Sequence, residues 1–515
     1  MKYQINEFKI SPMDDELLED IIKQKFKLNN FKYKIIQKSI YARHKEDIKI
    51  IYKLIIETDK LLKGNNISIY EDSNIELTYP NWNDLRPIIV GFGPAGMLAG
   101  LYLARCNAKP IIIERGSKIE IRKLDVGDFL NKKVLNSISN VQFGEGGAGA
   151  FSDGKLVSNV KSPLTKFIFN EFYLHGAKEN ILYEAKPHIG TDYLEKVVKN
   201  IRLEIEKLGG EFYFNHKFID AKKNDDNTIN VKIEGLDDIK TNHLLLALGH
   251  SAKDTIRHMY NNMHMNMEQK AFSMGVRVEH PKELIDKAQY GKFYKYLPAA
   301  YYKLATHKND RGIYTFCMCP GGYVIASASD DKTIVTNGMS NNDRANFNSN
   351  SALLVDVKPS DYNKGNVLDG IDYQEHYEKL AYSISNDYKA PANLIKEFLN
   401  DEVAKSLRSV KTTYPHGLFL TDLKKCLPDY VIEGLKEGIV DFDKKLHGFN
   451  HDDAILIGIE SRSSSPVRII RDENYESSIK GIYPIGEGAG YVGGITTAAL
   501  DGLKVAMKIA KGEIK

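Results

Sequence analysis

The amino-acid sequence predicts an α/β chain in four stretches. These are a small N-terminal α+β module (1–80), the first part of a three-layer domain built on a parallel sheet (81–264), an inserted β-rich α+β domain (265–449) and the closing part of the parallel-sheet domain (450–515). Three observations predict this order. Ile88 to Glu114 reads as strand, glycine turn, helix and second strand. Gly481 to Ala510 repeats the strand–glycine–helix pattern near the other end of the sequence. Between them, from about Met265, short alternating segments separated by Asn, Asp and Gly turns replace the strand–helix rhythm.

Length and composition agree with several domains. A chain of 515 residues exceeds what one core organises. A net charge of +3, from 71 basic and 68 acidic residues, implies no polyanion partner, so no nucleic acid is expected. The four cysteines argue against a disulfide-built secreted protein. No apolar run reaches membrane-spanning length and Met1 to Glu7 lacks the apolar core of a signal peptide, which together predict a cytoplasmic protein.

In the N-terminal module, Tyr3 to Ile10, Tyr33 to Tyr41 and Ile48 to Glu57 read as strands and Asp14 to Phe26 as a helix, with Asp72 to Arg86 as the linker. The module holds no catalytic constellation, and docking of a protein partner is the role left open to it. In the next stretch, the apolar run Ile88-Ile89-Val90 ends in Gly91-Phe92-Gly93-Pro94-Ala95-Gly96, and the strand Pro110 to Ile113 closes on Glu114. This Rossmann-like unit holds a dinucleotide diphosphate. Gly91 permits the tight turn, Gly93 lets backbone N–H groups approach phosphate oxygens, and Gly96 lets the helix pack on the strand. The helix N-terminus adds partial positive charge, and a carboxylate at the end of the second strand suits a ribose hydroxyl pair.

Further along, Val141 to Lys155 is dense in glycine, including Gly146 and Gly147. Such a segment is either a mobile surface loop or backbone held against a flat or phosphorylated ligand, and the second reading is preferred. It is not a P-loop, because the glycine spacing is wrong and Leu156 follows Lys155. Helices are expected over Pro163 to His175 and Asp192 to Leu208, a hairpin over Phe218 to Ile233, and a buried strand over His243 to Gly249. In the insertion, strands are expected at Phe272 to His280, Ala300 to Leu304, Gly312 to Cys317, Tyr323 to Ala328 and Thr333 to Asn337. Helices are expected at Tyr373 to Ser385 and Pro391 to Leu407. Ala454 to Glu460 reads as a strand of the closing part.

The C-terminal strand Ile482 to Ile485, ending in Gly486-Glu487-Gly488 and entering a helix under Gly493-Gly494-Ile495, adds a second grip. A dehydrogenase using NAD needs one such unit. A resident FAD needs its diphosphate held at one place and its ribityl chain and ring at another. With this pair, the chain resembles the FAD-binding oxidoreductases of the glutathione-reductase-like superfamily. Val141 to Gly149, Phe316-Cys317-Met318-Cys319-Pro320-Gly321-Gly322, Thr336 to Ser340 and Gly486 to Tyr491 resemble, more narrowly, a bacterial family of uncharacterised FAD-dependent dehydrogenases.

The resemblance implies an FAD-dependent oxidoreductase with an inserted substrate or cap domain and a small-molecule substrate. Gly91, Gly93, Pro94, Ala95 and Gly96 would hold the diphosphate, Glu114 the adenosine ribose, and Arg115 or Arg122 would neutralise phosphate. Phe218 stands where backbone meets the adenine. Glu487 stands where an aspartate usually meets the ribityl hydroxyls, its longer side chain set back from them, and Gly494 and Ile495 would present N–H groups to the flavin N1/O2 edge. That edge carries negative charge in reduced flavin, which a helix N-terminus stabilises. No second glycine-rich unit for NAD(P)H is evident, so NAD(P)H would bind only transiently as an electron donor.

Beyond the flavin, Cys317 and Cys319 are either a redox pair or reactive thiolate, or two small residues packed on one strand face; the second reading is preferred. They make a poor zinc site, and no metal is expected. Arg462 binds either an anionic substrate or a structural carboxylate. His188 is either a proton donor or, as a lone histidine more often is, a packed or surface residue. The reading from another class is a flavin-carrying scaffold without turnover, its N-terminal module docking a partner.

Overall fold

The computed structural model describes residues 1–71, 75–158 and 160–514; the first residues of the expected linker, 72–74, lie outside that description. The N-terminal stretch has the three expected strands and a fourth, and its α-helix begins at Leu18 rather than at Asp14. Strands Lys2–Ile10, Lys32–Tyr41, Lys49–Glu57 and Ile67–Ile69 make one antiparallel sheet. Ile50, Tyr52, Leu54 and Ile56 alternate onto its buried face, where Ile22 of the helix Leu18–Phe26 covers them.

The main sheet has five parallel strands: β1 (Ile88–Val90), β2 (Ile111–Glu114), β3 (Glu211–Phe214), β4 (Leu244–Leu246) and β5 (Ile482–Pro484), in the spatial order β5-β4-β1-β2-β3. β1, β2, β4 and β5 are buried throughout, which is why they read as unbroken apolar runs rather than as alternation. Helices of this domain include α1 (Pro94–Arg105), α2 (Ile119–Lys132) and α3 (Thr191–Lys207). A fourth, α4 (Ile495–Ala510), packs on α1 in the core that also holds Ile89 and Leu245. That packing is backbone-close: a Cβ placed on Gly502 would fall 2.1 Å from the Ala95 carbonyl oxygen. The antiparallel ribbon expected after β3 has three strands, Phe218–Lys223, Ile229–Ile233 and Ile239–Thr241.

The inserted domain differs from expectation in several places, among them the ten-residue strand Asn348–Val357 inside its sheet, unassigned from sequence. Its seven-stranded sheet contains Ile455–Glu460, paired between Phe272–Pro281 and Ala390–Leu394. A boundary at residue 450 therefore cuts through this sheet, and the strand assigned to the closing part belongs to the insertion. The helix expected over Pro391 to Leu407 is instead the strand Ala390–Leu394 followed by the short helix Ile395–Leu399. A run of five buried residues fits either element locally, and pairing on both sides decides for strand. Ala300 to Leu304 forms no strand; the edge strand is Ala305–Lys308. Asp429–Lys445, unassigned from sequence, is a 17-residue helix whose Val431, Leu435 and Ile439 pack on the sheet. Among the described residues, no helix is long and apolar enough to cross a membrane.

The α1–α4 contact yields a prediction. Gly502→Ala should lower the thermal midpoint, because the added methyl must displace backbone and overpacking of this kind costs about 1–3 kcal/mol. An unchanged midpoint would mean that α1 and α4 are less closely packed than described.

Candidate functional site

The C-terminal ends of β1, β4 and β5 open onto one cavity of ≈ 270 Å³, roofed by the inserted sheet. The turn after β1 is built by exclusion. Gly91 has φ +95°, and a Cβ there would lie 2.3 Å from the Ala247 carbonyl oxygen. A Cβ on Gly96 would lie 2.0 Å from the Gly91 oxygen. Gly96 thus lets α1 close on β1 and does not reach the cavity, whereas Gly91, Gly93, Pro94 and Ala95 do. Gly93 is the N-cap of α1 and provides no side-chain cap, so the helix end stays uncapped at the cavity wall. At the other end of the sequence Gly494 (φ +88°) is the N-cap of α4, also without a side-chain cap. A Cβ on Gly494 would meet nothing within 4 Å, and Gly494 and Ile495 line the same cavity.

The glycine-dense loop is held against the first turn rather than left mobile. Gly146 N–H donates to the Phe92 carbonyl (2.8 Å), and Gly147, at φ +59°, would carry a Cβ only 3.0 Å from the Gly93 Cα. Gly147 reaches the cavity, while Gly146 is turned toward Ala150 and Val198 of α3. Glu114 ties the two loops together. One carboxylate oxygen accepts N–H bonds from Gly116 (2.9 Å) and Gly144 (3.0 Å), and the other accepts from Phe92 (3.0 Å). Glu114 also lines the cavity, with about one of its roughly four acceptor positions left for a ribose hydroxyl.

The phosphate role expected of Arg122 needs correction. Arg122 is fully buried in α2 and away from the cavity. Its guanidinium donates to the carbonyls of Asn140, Val141, Gly144, Glu145 and Gly147, and so holds the loop's shape. Burial lowers its pKa to about 10 against the pull of Glu114 and Glu145, which leaves it charged at neutral pH. Arg115 does line the cavity. It lies over the Phe143 ring, 4.4 Å from the centroid, and is anchored by Asp254 (3.0 Å) and Thr255 (2.8 Å). Phe218 lies on the same side of the cavity wall, at the base of its ribbon.

Under the roof, Arg462 touches the cavity but is a structural cation. Its nitrogens bond both carboxylate oxygens of Glu378 (2.9 and 2.8 Å), Asp330 (2.9 Å) and Ser329 (2.6 Å), and reach Ser251 (3.3 Å) across the domain boundary. Although burial opposes ionisation, Arg462 and Lys253 hold the Glu378 carboxyl far below the usual carboxylate range. An anionic substrate finds no free fork there.

Cys317 and Cys319 do not share a regular strand face. Pairing slips between Phe316 and Cys319, and Cys317 sits at φ +43°. Cys317 is half-buried and reaches the cavity, whereas Cys319 is fully buried against Arg277 (3.5 Å). A hydrogen bond from Cys319 lowers the Cys317 pKa; burial opposes this, and the Lys155 and Arg277 charges add to the lowering. Lys155 is held by the Met318 carbonyl and by Asp153 (3.4 Å), and Asp153 also pairs with Arg344 (2.6 Å). His188 does not line the cavity; its Nε2 contacts the Asn342 carbonyl (2.9 Å), and burial lowers its pKa to about 4.

Two cavity residues were missed from sequence. Glu460 ends the roof strand Ile455–Glu460, with Arg277 of the neighbouring strand 3.3 Å away as its ion-pair partner. His250, directly after β4, pairs through Nδ1 with Glu487 Oε1 at 3.1 Å. Neither belongs to a motif, and a single acid or histidine carries no spacing signal.

A protein of Clostridium beijerinckii described as uncharacterized is 45% identical to this chain over 528 residues, covering 99% of this chain and 98% of that one. The chain belongs to that protein's family. Residues 271–463 match a family described as FAD-dependent protein, C-terminal domain-like, and this span takes in the whole inserted sheet, Ile455–Glu460 included. Solved structures to which the chain is similar include CtdE in complex with FAD (10% identity, TM-score 0.33, covering 82% of this chain and 84% of that one). Others are the halogenase PltM (10%, 0.37, 83% and 69%) and aklavinone-11 hydroxylase with FAD and aklavinone (12%, 0.35, 84% and 63%). FAD is the cofactor. The residues fit it: two uncapped helix ends and a cradle between Gly93 and Gly147 that a side chain would fill.

Glu114→Ala should sharply reduce the FAD retained on purification, because it leaves three buried amides without an acceptor, each costing about 1–3 kcal/mol. Cys319→Ser should retain FAD as wild type does. Equal flavin content in wild type and Glu114→Ala, read from absorbance at the flavin band, would reject this role.

Proposed function

We propose that the protein is an FAD-dependent oxidoreductase acting on a small-molecule substrate held between the flavin and the inserted sheet. The observation that carries this reading is the convergence of two uncapped, glycine-led helix N-termini, from opposite ends of the sequence, on one roofed cavity. When bound, FAD supplies two-electron exchange, as hydride, at its N5 position.

The chain's own groups supply the rest. The α1 end and the Gly93–Gly147 cradle favour the diphosphate, and the α4 end favours negative charge on the pyrimidine edge of the ring. The inserted sheet excludes water, and the network Gln142–Ser251–Arg462–Glu378 fixes it to the parallel-sheet domain. Glu460 is the group suited to hold and release a proton near neutrality. Burial pushes its pKa up to about 7, Arg277 opposes that and nearby Cys317 adds to it. Cys317 offers the cavity a thiol that ionises below the ordinary range. NADH or NADPH is the proposed electron donor, bound transiently.

Anaerobic addition of NADH or NADPH to the purified protein should bleach the flavin band. A flavin inert to both donors, with a partner retained on the N-terminal module, would favour a scaffold instead.

The cavity wall gives a pH prediction. A lowered thiol pKa keeps the reactive thiolate populated at any pH above it. Alkylation of Cys317 by iodoacetamide should therefore persist at pH values well under the ordinary thiol midpoint of about 8.5. Cys106 and Cys426 should stay unlabelled, since burial pushes them up to about 11 and about 12. Lys155→Met should move the Cys317 midpoint upward. A midpoint at the ordinary value in wild type would reject the proposed thiolate.

A further inference from the structure

β4 lies between β1, which leads into the Gly91 turn, and β5, which leads into Glu487. A ligand reaching from the α1 end to the α4 end must pass the C-terminal end of β4, where Gly249, His250 and Ser251 form the wall. In FAD the part between the diphosphate and the ring is the ribityl chain, a polyol.

His250 is placed there with its two ring nitrogens in different situations. Nδ1 faces the Glu487 carboxylate, 3.1 Å away. Nε2 is enclosed and has no hydrogen-bond partner among the described residues. An enclosed polar atom left in this state is costly, and in folded proteins such atoms mark places where something else binds. A carboxylate only accepts, so the Glu487 contact places a proton on Nδ1, and the imidazole tautomer with that proton has its acceptor lone pair at Nε2. A lone pair beside a carboxylate suits a hydroxyl donor and opposes a phosphate, which offers only acceptors and negative charge. Burial would raise the Glu487 pKa, and the adjacent His250 keeps it below the usual carboxylate value.

We infer that His250 contacts the cofactor, its Nε2 accepting a hydrogen bond from a ribityl hydroxyl of FAD, with Glu487 a positioning residue that acts through the imidazole. This rests on the FAD reading above. It also answers what a glutamate does where a shorter acid would reach the chain directly: the ring makes up the distance.

The test uses the FAD-loaded protein. FAD release on dilution, followed by flavin fluorescence, gives Kd for wild type, His250→Leu and His250→Gln. Displacement by ADP, which carries adenosine and diphosphate but no ribityl chain, isolates the other half of the site. Loss of one hydrogen bond should raise the FAD Kd of His250→Leu about tenfold, while the ADP affinity stays unchanged. His250→Gln, whose carbonyl can accept in place of the ring, should stay within about threefold of wild type. If His250→Leu does not fold, wild type titrated with FAD analogues each lacking one ribityl hydroxyl decides, and one of them must bind about tenfold more weakly. An unchanged FAD Kd in His250→Leu, an equal loss of ADP affinity, or equal affinity for every analogue overturns the assignment. Wild type that binds no FAD at all would instead remove the proposed function.

Discussion

A buried guanidinium holds together the part of this protein that has least to hold it. The loop from Asn140 to Gly147 is rich in glycine and offers few side chains to a core, so its shape must come from its backbone. Arg122 takes five of its carbonyl oxygens, and Glu114 binds Gly144 at its N–H. An arginine with no solvent contact is tolerated because every donor has an acceptor and two carboxylates, Glu114 and Glu145, stand close enough to oppose the loss of hydration. Two features of the cavity wall beside α1 depend on this clamp: the Gly93–Gly147 cradle and the seam from Phe92 to Gly146.

The second dependency is between the two ends of the sequence. α1 and α4 bring their N-termini to one cavity only because Gly502 lets α4 lie on the Ala95 carbonyl. Asp501, beside it, accepts from the Gly486 N–H (2.8 Å) and from both terminal nitrogens of Arg471 (2.9 and 2.8 Å), which fixes the turn leading to Glu487. The two helix ends are thus parts of one packed core. The roof is joined more softly, through a polar network centred on Arg462 and Glu378.

The elements legible in the sequence were those whose signal is local. Ile88 to Glu114 and Ile482 to Ala510 could be read because buried parallel strands are unbroken apolar runs and the turns after them allow no side chain. The failures lie where distant chain decides. Ala390–Leu394 is a strand because Ile455–Glu460 and Leu418–Leu420 flank it, which no window of sequence contains. Arg122 read as a phosphate ligand because its residue type suits one, whereas its partners are carbonyls of a loop that the fold carries back over it. Cys317 read as a regular strand residue until a slip in pairing turned it toward the cavity. His250 and Glu460 had no motif to announce them, and their roles come from what surrounds them.

The central claim is that one FAD spans the cavity, diphosphate at the α1 end and ring at the α4 end. A crystal structure of the FAD-loaded protein tests it most directly. The account predicts diphosphate oxygens within hydrogen-bonding distance of the backbone at Gly93 to Ala95 and the pyrimidine edge at Gly494 and Ile495. A flavin bound elsewhere, or one lying in the reverse direction, would contradict it.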